Sequence, residues 1–268
     1  MNGYRGPAEH AEKVRDRLRE TARNLENWGY GITENPFRIA IKDPEVRRLW
    51  TALRRGGLKL GPGDGSSPEQ ALRVGRMNGY YHERSNTLHV VIEKKTEVDP
   101  EIVFAHELKH AEFAAKIDSD KLYEAVRAKN PEAIDKLLAE YRKRPEAISY
   151  RRRAEKDQNA PDVIEAEVNR LAKFLLTRDI FRVIDEREAT AFGHEVYARL
   201  RDSQPTLRWA ASEYWFGLEP PQRREELIKQ FTDPVSGYGF DKDVVNMVWD
   251  FAVPESAQRT GPRLRRAG

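Results

Sequence analysis

Residues 101–115 read EIVFAHELKHAEFAA. Their reading decides the fold, because a helix is the one backbone form that turns this spelling into a site. A helix advances about 100° per residue, so residues four apart lie on one face, one turn up. His106 and His110 then point the same way, and their imidazoles can meet at one tetrahedral ion. Glu107 stands one step round from His106, where it reaches a water on that ion without ligating it. A catalytic zinc site needs nitrogen and oxygen donors of this kind and an open position for water. A nearby carboxylate that takes the water's proton completes the set for attack on a carbonyl.

The flanks support the helix. Val103, Phe104, Leu108 and Ala111 are apolar, and Asp99-Pro100 is a helix opening that predicts a run to about Lys116. Lys109 is a charged residue between the histidines. It leans toward solvent and predicts that one flank of the helix is less buried. Upstream, GYYHER and TLHVVIEKK flank Ser85-Asn86 and predict a β-hairpin. A strand LHVVIE at a sheet edge would offer free N–H and C=O groups to an extended peptide.

Further out the chain reads as helical. Asp43 as N-cap, Pro44 at N1 and Gly56 at the end bound one helix, and another is predicted over Pro7–Trp28. The run GGLKLGPGDGSSPEQ is a turn-rich loop. Residues 118–160 read as a charged helical insertion or flap. PDVIEAEVNRLAKFLLTRDI and DEREATAFGHEVYARLRD read as two amphipathic helices, and the tryptophan-bearing C-terminal third as a helical lobe. The expected fold class is α+β and mainly helical: one domain over 1–257, a small antiparallel sheet against the motif helix, and a disordered basic tail over 258–268.

VFAHELKHA resembles the active-site helix of zincin metallopeptidases, in which a strand edges the cleft and this helix forms its floor. The resemblance spans about 25 residues of strand and helix, and more weakly residues 185–202. It implies Zn2+ as cofactor, His106 and His110 as ligands, and Glu107 as catalytic base. The His-x-x-Gly-x-x-His continuation of metzincins is absent. A gluzincin-like site instead takes its third ligand from a second helix, often within Glu-x-x-Ala, and Glu188 with Ala191 fits that pattern. His194 and Glu195 are the competing third ligands. A small Ala191 would let the two helices approach closely. Asp185 and Glu195 share the Glu188 face as acceptors for the histidine ring N–H groups. Tyr81, Tyr197, Tyr214 and His194 are candidate donors to an oxyanion.

Composition bounds the rest. The 268 residues carry 47 basic and 44 acidic side chains, a net +3, so general affinity for nucleic acid is not expected. No cysteine is present, which excludes disulfides, zinc ribbons and thiol nucleophiles. No apolar run suits a signal peptide or a membrane span. The expected protein is soluble, cytoplasmic or secreted without a cleavable signal peptide. Its expected function is hydrolysis of a protein or peptide substrate by metal-activated water, in the style of a bacterial effector or toxin-type protease. The rival expectation is a zincin-like binding or structural protein with little catalysis.

Overall fold

The computed structural model describes residues 41–60, 79–83, 85–90, 100–201, 220–234 and 238–259. The helix expected over Pro7–Trp28, most of the turn-rich loop, Asp99, Tyr214 and the tail beyond Arg259 lie outside the described residues. Those described are mainly helical, with one small sheet.

Helix α1, Pro44–Arg55, starts as its sequence dictates. The Asp43 carboxylate accepts from the N–H groups of Glu45 and Val46, and Pro44 occupies the first turn where its missing N–H costs nothing. Gly56 caps its end, and Gly57 turns the chain at φ 90, in the left-handed region that glycine enters without strain. The turn leads into β1, Lys59–Leu60.

The expected hairpin is present as β2, Gly79–His82, and β3, Thr87–Val90, paired antiparallel with Tyr81 opposite Leu88. Its turn is closed by the Asn86 N–H donating to the Glu83 carbonyl at 3.3 Å, with Asn86 at φ 49. The sheet differs from expectation in its third strand. β1 pairs parallel with β3, so the sheet is mixed and its order is β1-β3-β2. At Thr87 and Leu88, β3 is therefore central and has a strand on each side, so the expected free edge is not there.

Helix α2, Pro100–Lys116, carries the motif. Ile102, Val103, Phe104, Ala105, Leu108, Ala111, Phe113 and Ala114 are all buried, so most of its circumference faces protein. The core around it joins Val46 and Trp50 of α1, Leu88 of β3, and Phe192, Val196, Tyr197 and Leu200 from further along the chain.

Residues 118–160 form three helices, α3 (Ser119–Lys129), α4 (Pro131–Tyr141) and α5 (Pro145–Lys156). They are charged outward, but Leu122, Tyr123, Val126, Ile134 and Tyr141 are fully buried, so the segment owns a core face. The two amphipathic helices expected next are one helix, α6, Pro161–Arg201, of 41 residues. Nothing between Pro161 and Gly193 breaks it, since neither Gly nor Pro occurs in that interval. Helices α7 (Pro220–Thr232) and α8 (Lys242–Val248) and a short 3-10 turn at Glu255–Ala257 follow.

The described chain groups into two compact units. One takes the segments up to Ala114 together with α6 from Glu188 onward; the other takes Ala115–Arg187 and the described residues from Pro220 on. In the second, Tyr141 Oη and Arg144 Nη1 both donate to Asp179 Oδ2, at 2.9 and 2.8 Å, tying α4 and α5 to α6. Its C-terminal segment is tied down too: Asp118 N–H donates to Ala257 O and Arg259 N–H to Lys116 O. Gln258 and Arg259, expected in the tail, are thus ordered.

Among the described residues, no helix is long and apolar enough to cross a membrane.

Candidate metal centre

The apolar positions of α2 set the direction of its polar ones. Leu108 and Ala111 are buried on one side, and His106, Lys109 and His110 on the other are half-buried. The Nε2 atoms of His106 and His110 lie 3.1 Å apart, with ring centroids at 4.7 Å and planes at 82°. Two nitrogens on one tetrahedral zinc, each about 2.0–2.1 Å from it, stand about 3.3 Å apart. The pair therefore already holds nearly the bite a shared ion requires. Without an ion the same separation is a hydrogen bond, in which one ring donates through Nε2–H and the other accepts.

The third member is Glu186. One carboxylate oxygen of Glu186 and one nitrogen from each histidine lie within 4.8 Å of one another. Ion-bound donors stand about 3.3–3.5 Å apart, so the carboxylate closes by a rotamer-scale movement at most. The donor set is two imidazoles and one carboxylate, borderline and hard donors that suit a divalent transition metal. These residues are close enough to hold a metal ion.

Glu188, the expected third ligand, is not in this group; the structure puts Glu186 beside the histidines instead. The reason is the register of α6. Residues three, four, seven, ten and eleven after Glu186 are Ala189, Thr190, Gly193, Val196 and Tyr197, and all are buried. Glu186 heads that inward stripe. Glu188 lies about 200° further round. Of the residues three, four and seven after it, Ala191 and Glu195 are exposed and Phe192 is buried. Ala191 thus brings no helices together, and the small buried residue at that spacing is Ala189, at 0% exposure. The sequence did carry the signal. Glu186-Arg-Glu-Ala189 is itself a Glu-x-x-Ala, overlapping Glu188-Ala-Thr-Ala191; both glutamates are half-buried, and the copies differ in their alanines, Ala189 buried and Ala191 exposed.

The remaining candidates fall elsewhere. His194 is buried but lies eight residues beyond Glu186, about 12 Å along the helix. Glu195 is exposed and faces Arg199 at 3.9 Å, so it does not orient a histidine. Tyr197 is buried eleven residues, about 16 Å, beyond Glu186. Tyr81 donates its hydroxyl to Asn86 Oδ1 at 2.9 Å, a bond internal to the hairpin. Asp185 is half-buried beside Glu186. Glu107 is 6% exposed and sits one step round the helix from His106. Lys109 lies on the less buried flank of α2, as expected, but is not free in solvent: its Nζ lies 2.9 Å from Glu112 Oε2 and 5.5 Å from the Phe192 ring centroid.

The frame that carries α2 and the far end of α6 is polar, with two buried carboxylates, Asp43 and Glu101. Glu101, in the first turn of α2, accepts the backbone N–H groups of Lys42 and Asp43 at 2.8 and 2.7 Å. The Asp43 side chain in turn accepts from Arg199 of α6. Burial alone pushes the Asp43 carboxyl up, but the bonds from Arg199, Val46 and Glu45 and the Arg199 charge hold it below the ordinary aspartate range. The Arg199 guanidinium is correspondingly raised by its bond to Asp43, against the opposing effect of burial.

No protein-family model, no curated protein and no solved structure matches this chain.

Proposed function

We propose that the chain is a zincin-type zinc hydrolase that cleaves peptide bonds. The observation that carries this reading is the convergence of His106, His110 and Glu186 on one small volume, with a buried Glu107 next to the first histidine. A zinc ion, when bound, supplies Lewis acidity, which acidifies water and polarises a carbonyl.

The chain's own residues do the rest. His106 and His110 offer Nε2 lone pairs and keep their protons on Nδ1. Glu186 contributes one negative charge, which selects a divalent cation over a neutral guest. Glu107 accepts the proton of the attacking water and returns it to the leaving amine. Phe104, Leu108 and Ala111, buried on the other side of α2, fix the helix against the core and so hold the direction of its histidines. A peptide substrate follows from the resemblance of VFAHELKHA to zincin helices, and its sequence preference is a matter for a substrate library.

Metal analysis and a peptide-library digest test the reading together. The purified chain is expected to bind about one zinc, and Glu107→Gln to keep that zinc while hydrolysis falls by about 10²–10⁴-fold. A chain that takes up no zinc, or a Glu107→Gln variant as active as wild type, overturns it.

A further inference from the structure

His106, Lys109 and Glu112 stand three residues apart in succession, one row of α2 whose neighbouring Cβ atoms are about 5–6 Å apart. The row places a lysine one helical turn from His106, a residue of the group that could hold a metal ion. Both neighbours of the lysine ammonium are provided for: Glu112 Oε2 lies 2.9 Å away, and the Phe192 ring lies beneath it at 5.5 Å. Lys109 and Glu112 are 27% and 15% exposed, so water screens them less than it screens a surface pair.

We propose that Glu112 is a positioning residue for the metal site: its carboxylate holds Lys109 against Phe192 and cancels the ammonium charge beside the bound cation. The inference rests on the metal reading above. The charge count supports it. Among the residues of the proposed site alone, two neutral imidazoles and the Glu186 carboxylate leave one positive charge of a dication, which Glu107 cancels; Asp185 and Arg187, on either side of Glu186, offset one another. Lys109 would add a further positive charge within one helical turn of His106, and Glu112 removes it. The pair thereby allows a lysine inside the His-Glu-x-x-His stretch. It also packs α2 against the Phe192 segment of α6 through a cation–π contact.

The test uses the full chain and Zn2+ affinity, read by competition with a chromophoric chelator at low and high salt, beside thermal unfolding without metal. Glu112→Gln is expected to weaken Zn2+ binding about tenfold at low salt, with the deficit shrinking at high salt. Lys109→Met is expected to bind at least as tightly as wild type. The double variant Lys109→Met/Glu112→Gln is expected to return to within about threefold of wild type, the coupling of a charge pair and not of lost packing. A Glu112→Gln affinity within about twofold of wild type, or a double variant as weak as Glu112→Gln, overturns the inference while the metal site stands. A wild-type chain that binds no Zn2+ overturns both.

Discussion

Arg199 Nε donates to Asp43 Oδ2 at 2.7 Å, a bond across 156 residues of sequence that joins the start of α1 to the end of α6. Asp43 is 1% exposed, whereas the Arg199 side chain is 38% exposed, so one partner is desolvated and the other is half in water. The buried partner has other work: it caps α1 through Glu45 and Val46, while its own N–H is held by Glu101 of α2. One aspartate thus ties three helices, among them the helix of the histidines.

Asp43→Ala is expected to destabilise the fold by about 2–4 kcal/mol, the loss of a cap together with a half-screened charge pair. Asp43→Asn, which still caps, is expected to lose about half of that. The pH dependence has a definite sign. The folded-state pKa of Asp43 lies below its ordinary value of 3.8, so its contribution is complete above about pH 4 and is lost as pH falls through the lower, folded value. Urea midpoints followed from pH 6 to 3 are therefore expected to fall more steeply for wild type than for Asp43→Asn. Equal slopes would assign the acid sensitivity to other carboxylates.

Glu186 and Glu188 make opposite predictions for metal binding. Glu186→Ala removes one of three donors, and a drop in Zn2+ affinity of at least about a hundredfold is expected. Glu188→Ala, about 200° round the helix, is expected to bind within a few-fold of wild type. Saturating zinc raises the melting temperature of any chain that binds it, since an ion at about a thousand times its Kd stabilises by about 4 kcal/mol. That rise is expected in Glu188→Ala and absent in His106→Ala. The reverse pattern between the two glutamates would return the third ligand to Glu188.

Arg187, next to Glu186, is fixed by carbonyls. Its guanidinium donates to Val248 O and Phe251 O, both at 2.8 Å, and to Trp249 O, all at the C-terminal end of α8. Val248 O also accepts the Phe251 N–H, and the helix dipole favours a cation at this end of α8. Arg187→Ala is expected to cost about 2–3 kcal/mol, measured by chemical unfolding. Arg187→Lys is expected to recover less than half, because an ammonium cannot reproduce the planar fork.

What could be read from the sequence was local. The α2 histidine pair depends on four-residue spacing, and the hairpin depends on alternation around one turn. Both lie within twenty residues of chain, and both are present. The third strand was not legible, because Lys59 and Leu60 pair with β3 across a long connection and two residues carry no pattern. The continuity of α6 was missed for a different reason. The charged run Asp185-Glu-Arg-Glu188 resembles a boundary, yet it contains neither Gly nor Pro, and its glutamates and arginine are good helix formers. Which glutamate stands by the histidines turned on the register of α6, which the sequence pattern leaves open between Glu186 and Glu188.

That register is open to a test that needs no metal. Ala189 is fully buried and Ala191 is exposed, two residues apart on the same helix. A leucine at 189 forces extra carbon atoms into a filled core, and a loss of about 1–3 kcal/mol is expected. A leucine at 191 meets solvent, and a change within about 0.5 kcal/mol is expected. Both substitutions keep high helix propensity, so the difference between them reports burial alone. If Ala191→Leu proved the costly one, the inward stripe of α6 would run through Glu188 and Glu195, and Glu186 would face away from His106 and His110.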